Sequence, residues 1–246
     1  MRIDKLLAAN GIPRNEIKKA IKEGEILVQN QAVTSLAQNV DTGLQTVVYQ
    51  GMKLTGANHR YYMLNKPIGV VSANTDPHYP TVFDCLASVQ KTGLYTLGRL
   101  DRDTSGLLII TDNGPLGFSL LHPDRHVTKT YEVCLNGPLD QDAVRAFAAG
   151  IVFRGGEVAK PALLEIINSN KKESWARVCI TEGKRHQIKK MFLAVGVKVM
   201  ALKRVTFGDF LLDPNLKEGD FRELNEDEKQ IVVQYLSHSR GTDKTS

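Results

Sequence analysis

From Leu107 to Thr111 the sequence reads LLIIT and is closed by Asp-Asn-Gly, the pattern of a buried strand that ends in a turn. Just before it, in GRLDRDTSG (Gly98–Gly106), two arginines, two aspartates and two hydroxyls are packed between a pair of glycines. The chain thus masses charge at the entrance to its own core. Any fold it adopts has to keep that loop at the core's edge.

Around this strand the texture is one of many short strands: YYML, GVVS, LYTL, LLIIT, TYEVCL, ALLEII, WARVCI and ALKRV. Helical patterns are fewer: TVFDCLASV, GPLGFSLL, DQDAVRAFAAG, HQIKKMFLAVG and NEDEKQIVVQYL, the last opening on a capping box of Asn225 and Glu228. Irregular interleaving with recurrent hairpin turns predicts an α+β fold on a mainly antiparallel mixed sheet. Ahead of it lie two short helices. In MRIDKLLAAN the apolar residues Ile3, Leu6 and Leu7 share a face, and Gly11 stops the helix. In PRNEIKKAIKEG, Ile17, Ala20 and Ile21 form the apolar stripe, Pro13 is suited to the first turn and Gly24 to the C-cap. Arg14, Lys18 and Lys22, with Lys19 adjacent, line its other side; EILVQNQAV and TVVYQG then read as strands.

The 246 residues are 42% hydrophobic, enough for a sizeable core, and no stretch reaches the roughly 18 to 20 apolar residues of a membrane span. The charged N-terminus is unlike a signal peptide. Cys85, Cys134 and Cys179 are widely spaced, form no Cys-x-x-Cys pair and suit a reducing cytoplasm. A net charge of +5 is compatible with a polyanionic partner without requiring one.

Three stretches can carry chemistry. In the first, Asp101 and Asp103 are flanked by Arg99 and Arg102. As mere surface ion pairs these would contribute about 0–1 kcal/mol, little reason to assemble them. Read functionally, a carboxylate kept ionised by cations at the mouth of a cleft suits a nucleophile or an electrostatic stabiliser. In the second, KTYEV, Tyr131 beside Lys129 is either a core residue or a platform for a nucleobase. In the third, GKRHQIKKMF, Lys184, Arg185, Lys189 and Lys190 cluster at a helix start, as phosphate binding or a solvated face would each allow. His122 and His126 are four apart, but Pro123 interrupts the helix that would make them a metal pair, so no metal site is expected.

In this order and spacing, GRLDRDTSGLLIITDNG, KTYEV and GKRHQIKKMF resemble the pseudouridine synthases, and MRIDKLLAANGIP…IKKAIKEGEILV resembles an S4-type RNA-binding domain. The combination resembles the branch of the family that modifies ribosomal RNA. RYYMLNKPIGVVSANTDPHYPTVFDCL and the ending GDFREL are most similar to its small-subunit members. The resemblance implies an S4-like RNA-binding domain over residues 1–55 and a catalytic domain over 61–236; the polar, aperiodic stretch between them reads as a linker over 56–60, and SHSRGTDKTS, without apolar residues, as a disordered tail over 237–246. It implies Asp101 as the catalytic residue, Tyr131 stacked on the target base and Lys189 paired with Asp101. The reaction implied is isomerisation of uridine to pseudouridine in ribosomal RNA, uridine 516 of the small subunit being the expected target and a large-subunit uridine the alternative. A non-catalytic RNA-binding protein is the distant rival.

Such a reaction needs no cofactor. The RNA contacts expected are Arg2, Lys5, Arg14, Lys18, Lys19 and Lys22 in the first domain and Lys66, Arg99, Arg102, Lys129, Arg185 and Lys190 in the second. The partner expected is ribosomal RNA, free or in an assembly intermediate, bound by a cytoplasmic monomer with no membrane association. One departure is visible: related S4-like modules carry an Asn-Gly turn where this chain has VQNQAV, which leaves open how that strand pair connects.

Overall fold

The computed structural model describes residues 1–153 and 155–237. Along the chain run α1 (Ile3–Ala9), α2 (Arg14–Glu23), β1 (Ile26–Val28), β2 (Gln31–Ala32), β3 (Val47–Tyr49) and β4 (Met52–Lys53). There follow β5 (Tyr61–Lys66), β6 (Tyr95–Thr96), β7 (Ser105–Thr111), α3 (Gly114–Leu121), β8 (Lys129–Leu135), α4 (Gln141–Ala149) and β9 (Leu163–Ser169). Last come β10 (Ser174–Ile180), α5 (Gln187–Ala194), β11 (Val199–Phe207), β12 (Phe210–Leu211), β13 (Phe221–Glu223) and α6 (Glu226–Ser237). The described residues divide into two compact units: one holds Met1–Tyr61, Thr111–Leu120 and residues 223–237, the other Tyr62–Ile110 and Leu121–Arg222.

In the first unit, Ile3, Leu6, Leu7, Ile17 and Ala20 of the two N-terminal helices share one buried cluster with Ile26, Val28, Val47 and Tyr49. These last lie on a four-stranded sheet of order β2-β1-β3-β4. Gly24 ends α2 in the left-handed conformation, its N–H returning to the Ala20 carbonyl, while Pro13 stands just before the helix as an extended N-cap. The open question about VQNQAV has a plain answer. Val28 faces Gln31 across a two-residue turn in which Gln29 (φ 50°) and Asn30 (φ 64°) are both left-handed. Such a turn matches the twist of a hairpin, and the chain makes it without glycine.

The coil after β4 is tied by polar contacts. The carboxylate of fully buried Asp41 accepts from the Tyr61 hydroxyl (2.5 Å) and the Gly43 N–H (2.8 Å), and the Tyr61 oxygen accepts from Asn113 Nδ2 (2.6 Å). Asp112 accepts from the backbone N–H and Nε of Arg60. The capping box of α6 is formed: the Asn225 N–H donates to Glu228, and the Glu228 N–H to Asn225. Ser237, first residue of the tail expected to be disordered, closes α6; the rest of that tail lies outside the described residues.

The second unit is built on a nine-stranded sheet of order β13-β5-β7-β11-β8-β10-β9, with β12 beside β11 and β6 beside β7. β8, β9, β10 and β11 pair antiparallel, whereas β11 runs parallel to β7. α4 and α5 contribute Phe147 and Phe192, 4.9 Å apart, to a cluster with Val133, Leu135, Ala176, Val178 and Leu202 of the strands. The fold is α+β on a mostly antiparallel mixed sheet.

Two sequence expectations give way. GVVS is no strand: after left-handed Gly69, Val71 makes a single bridge, to Thr81. TVFDCLASV is no helix, because its backbone bonds (Asp84 to Thr81, Leu86 to Phe83, Val89 to Leu86) all span three residues. Val82, Phe83 and Leu86 still bury their side chains, so the apolar spacing is real but is served by consecutive turns. No helix among the described residues is long and apolar enough to cross a membrane.

Candidate active site

The loop that delivers charge to the mouth of β7 is held by its backbone. The Leu100 N–H donates to Ser72 Oγ (3.0 Å), which donates back to the Leu100 carbonyl (2.9 Å). The Gly69 N–H reaches the Arg102 carbonyl (2.8 Å), and the Thr104 N–H closes a turn on the Asp101 carbonyl (3.0 Å). Beneath it, Lys66 Nζ donates to the carbonyls of Thr104 (2.8 Å) and Pro67 (3.0 Å). Asp101 is thereby fixed at the end of a buried strand while its carboxylate stays partly open to solvent, the side chain 36% exposed.

Opposite stands α5, entered through a turn organised by buried Gln187. Its side chain accepts the Lys184 N–H (2.9 Å) and donates to Glu182 (2.7 Å). His186 takes a left-handed conformation (φ 53°), and its Nε2 lies 3.7 Å from Asp101 Oδ1. One turn on, Lys189 Nζ sits between the two aspartates, 3.7 Å from Asp101 Oδ2 and hydrogen-bonded to Asp103 Oδ1 at 2.5 Å. Burial works against the charge on Asp103, but the Lys189 bond and charge, a backbone N–H and His186 hold its carboxyl below the usual range. The pairing expected between Lys189 and Asp101 is thus present as an ion contact, while the hydrogen bond goes to Asp103.

Tyr131 lies on β8 between Arg204 of β11 and Val178 of β10. It is buried in a cluster that includes Leu100 and Ile188, the residues next to Asp101 and Lys189. The three stretches singled out in the sequence therefore meet in one unit, through residues adjacent in the chain to the chemistry-bearing ones.

The expected RNA contacts divide by exposure. Arg14, Lys18, Lys19 and Lys22 are exposed along α2, Lys19 pairing with Glu23 (3.7 Å); Arg2, bonded to Asp4, is exposed at the N-cap of α1 and Lys5 on that helix. Arg99, Arg102, Arg185 and Lys190 are exposed in the second unit, Arg102 lying 4.3 Å over the Tyr79 ring and Lys190 5.3 Å over Phe153. Lys66 must be withdrawn from that set. It is 0% exposed with its amine committed to two carbonyls, so no phosphate can reach it. Burial lowers its ammonium to about 8 against the opposing pull of Asp103 and Asp101. Lys129 is half-buried and donates to the Val127 carbonyl (2.9 Å).

Sequence reasoning passed over Ser72, His186 and Arg204. His186 stood inside a quoted motif, and its place beside Asp101 depends on a backbone conformation that no pattern announces. Arg204 read as one residue of a strand. No group of three or more His, Cys, Asp or Glu side chains among the described residues could hold a metal ion.

Comparison with known proteins matches residues 60–194 to the family of RNA pseudouridylate synthases and residues 1–46 to the S4 domain. An uncharacterized RNA pseudouridine synthase of Bacillus subtilis is 38% identical over 94% of this chain and 98% of its own. Ribosomal small subunit pseudouridine synthase A of Vibrio parahaemolyticus is 40% identical over 94% of this chain and 99% of its own. A crystal structure of a pseudouridylate synthase, 36% identical, covers 95% of this chain and 100% of its own with a TM-score of 0.66.

Proposed function

The chain belongs to the RNA pseudouridylate synthase family, with an S4 domain ahead of the catalytic one, and from that premise we propose that it isomerises one uridine of small-subunit ribosomal RNA, uridine 516, with Asp101 as the catalytic residue. The observation that carries the reading is the Asp101 carboxylate itself: fixed on a bonded loop, partly solvent-exposed, 3.7 Å from the Lys189 ammonium and adjacent in the chain to the cluster that holds Tyr131. The relatives named for the small ribosomal subunit support the choice of RNA.

In the reaction the N1–C1′ bond breaks with its electron pair left on the base, the uracil turns in place, and C5 bonds to C1′. The C5 proton is lost and N1 gains one, so composition does not change. An ionised carboxylate serves the step whether it attacks the sugar carbon, attacks the base or promotes loss of a C2′ proton. Lys189 places a positive charge 3.7 Å from that carboxylate. Because its hydrogen bond goes to Asp103, it leaves the Asp101 oxygens free to react. Tyr131 replaces the stacking lost when the nucleotide is extruded, a cost of a few kcal/mol that phosphate contacts offset. The α2 stripe of Arg14, Lys18 and Lys22 supplies such contacts from the S4-like domain, taken as residues 1–55, and the catalytic domain as 61–236. The protein acts as a cytoplasmic monomer on ribosomal RNA or an assembly intermediate.

The test is to map pseudouridine in ribosomal RNA from cells with and without the gene. Loss of pseudouridine at position 516 of the small-subunit RNA alone is expected; loss from large-subunit RNA instead would overturn the target.

A further inference from the structure

Among the described residues Arg204 has no counter-ion. It is 1% exposed; its Nε donates to the Leu107 carbonyl (2.8 Å), its guanidinium lies 4.9 Å over the Phe207 ring, and its Nη2 has no hydrogen-bond partner among the described residues. No carboxylate among the described residues forms an ion pair with it. A second cation shares the same ring, Lys129 Nζ at 5.4 Å from its centre. Burial first, then the charge of Arg204, lowers the Lys129 ammonium to about 8. Two like charges drawn together inside a fold, one with an unmade hydrogen bond, are unfavourable unless something completes them.

Position says what would do so. In the β8–β11 register Arg204 faces Tyr131 and Phe207 faces Lys129. Opposed residues, and residues two apart, share a face of a sheet, so all four lie on the Tyr131 side. On its other flank β11 pairs with the start of β7, Arg204 opposite Gly106, two residues past the Asp101 loop. An alanine there would place its Cβ 2.2 Å from the Arg204 carbonyl oxygen, so glycine permits this close approach. A further buried polar atom without a partner, Thr104 Oγ1, lies on that loop.

We propose that Arg204 and Lys129 form a cationic subsite that takes the carbonyl oxygens of the extruded uracil stacked on Tyr131. The inference rests on the reading of Asp101 and Tyr131 given above. A group this deeply buried meets the base, whereas a backbone phosphate stays at the surface. The uracil oxygens accept hydrogen bonds in bound uridine, and they carry negative charge once the N1–C1′ electron pair rests on the base.

The test uses the full-length Asp101→Asn protein, so that binding is read without turnover. Its probes are a short unstructured RNA with one uridine and the same RNA with an abasic ribose there. Extrusion costs least in single strands. The uridine RNA is expected to bind more tightly. Arg204→Gln and Lys129→Gln should each reduce that preference about ten- to a hundredfold, with the loss of affinity for the uridine RNA exceeding that for the abasic RNA by the same factor. Preference retained in folded variants overturns the subsite. So does equal weakening for both RNAs with a salt slope shallower by roughly 0.7, which assigns the cations to phosphate. Should Arg204→Gln fail to fold, Lys129→Gln decides, since it leaves the Leu107 carbonyl bonded. Absence of any uridine preference in the Asp101→Asn parent overturns the reading of the site itself, and the subsite with it.

Discussion

Lys189 hydrogen-bonds Asp103 at 2.5 Å and stands 3.7 Å from Asp101. One ammonium thus serves two aspartates unequally, a direct bond to the one and a charge at a distance to the other. The arrangement separates holding the lysine from using it.

Removing the holder should therefore slow the enzyme without stopping it. In Asp103→Asn the lysine can turn to bond Asp101, drawing charge from the oxygens that react. A single-turnover rate on unmodified ribosomal RNA is expected to fall about tenfold, one hydrogen bond to a charged group being worth about 1.5 kcal/mol or more. Lys189→Met should cost more, because it removes both the bond to Asp103 and the charge 3.7 Å from Asp101. A rate no lower than that of Asp103→Asn would mean that the lysine does not act on that carboxylate.

Lys66 gives a stability test with a definite sign. Its ammonium falls from 10.5 to about 8 in the fold. Between those limits the unfolded chain binds the proton more tightly, so stability contributed at this site rises with pH across the window. Denaturant unfolding of wild type and Lys66→Met at pH 8 and pH 10 should show the wild type gaining on the variant by up to about 1 kcal/mol per pH unit. A constant difference would show that folding does not weaken the hold of this amine on its proton.

Much of this site could be read from residues alone, and the limits have physical causes. The charged loop before LLIIT announced Asp101 because charge beside a buried strand is locally visible, and Tyr131 and Lys189 stood in short motifs. The helices α1 to α6 followed from apolar period and caps. Lys66 misled because a lysine before proline looks the same whether solvated or folded under a loop 38 residues later. Arg204 stayed hidden because its lack of a counter-ion is a property of its surroundings. TVFDCLASV deceived because consecutive turns can bury the same spacing of side chains as a helix.

Gly106 tests the closeness of β7 and β11. Its φ of 104° disfavours any side chain, and the atom an added Cβ would strike is backbone. Gly106→Ala is expected to destabilise the protein by more than about 3 kcal/mol, read by urea unfolding. A loss below about 1 kcal/mol would contradict the approach described.

The α2 stripe should affect binding and leave chemistry alone. Replacing Arg14, Lys18 and Lys22 together by glutamine removes three exposed cations. The salt dependence of RNA affinity should become shallower by roughly two to three, at about 0.7–0.9 per phosphate contact. Turnover at saturating RNA should be unchanged. An unaltered slope would make the stripe a solvated face.

The most direct measurement is single-turnover pseudouridine formation by purified Asp101→Asn on unmodified small-subunit RNA, with RNA affinity determined alongside. No pseudouridine is predicted, with affinity within a few-fold of wild type. Substantial pseudouridine from that protein would contradict the assignment of the reaction to Asp101.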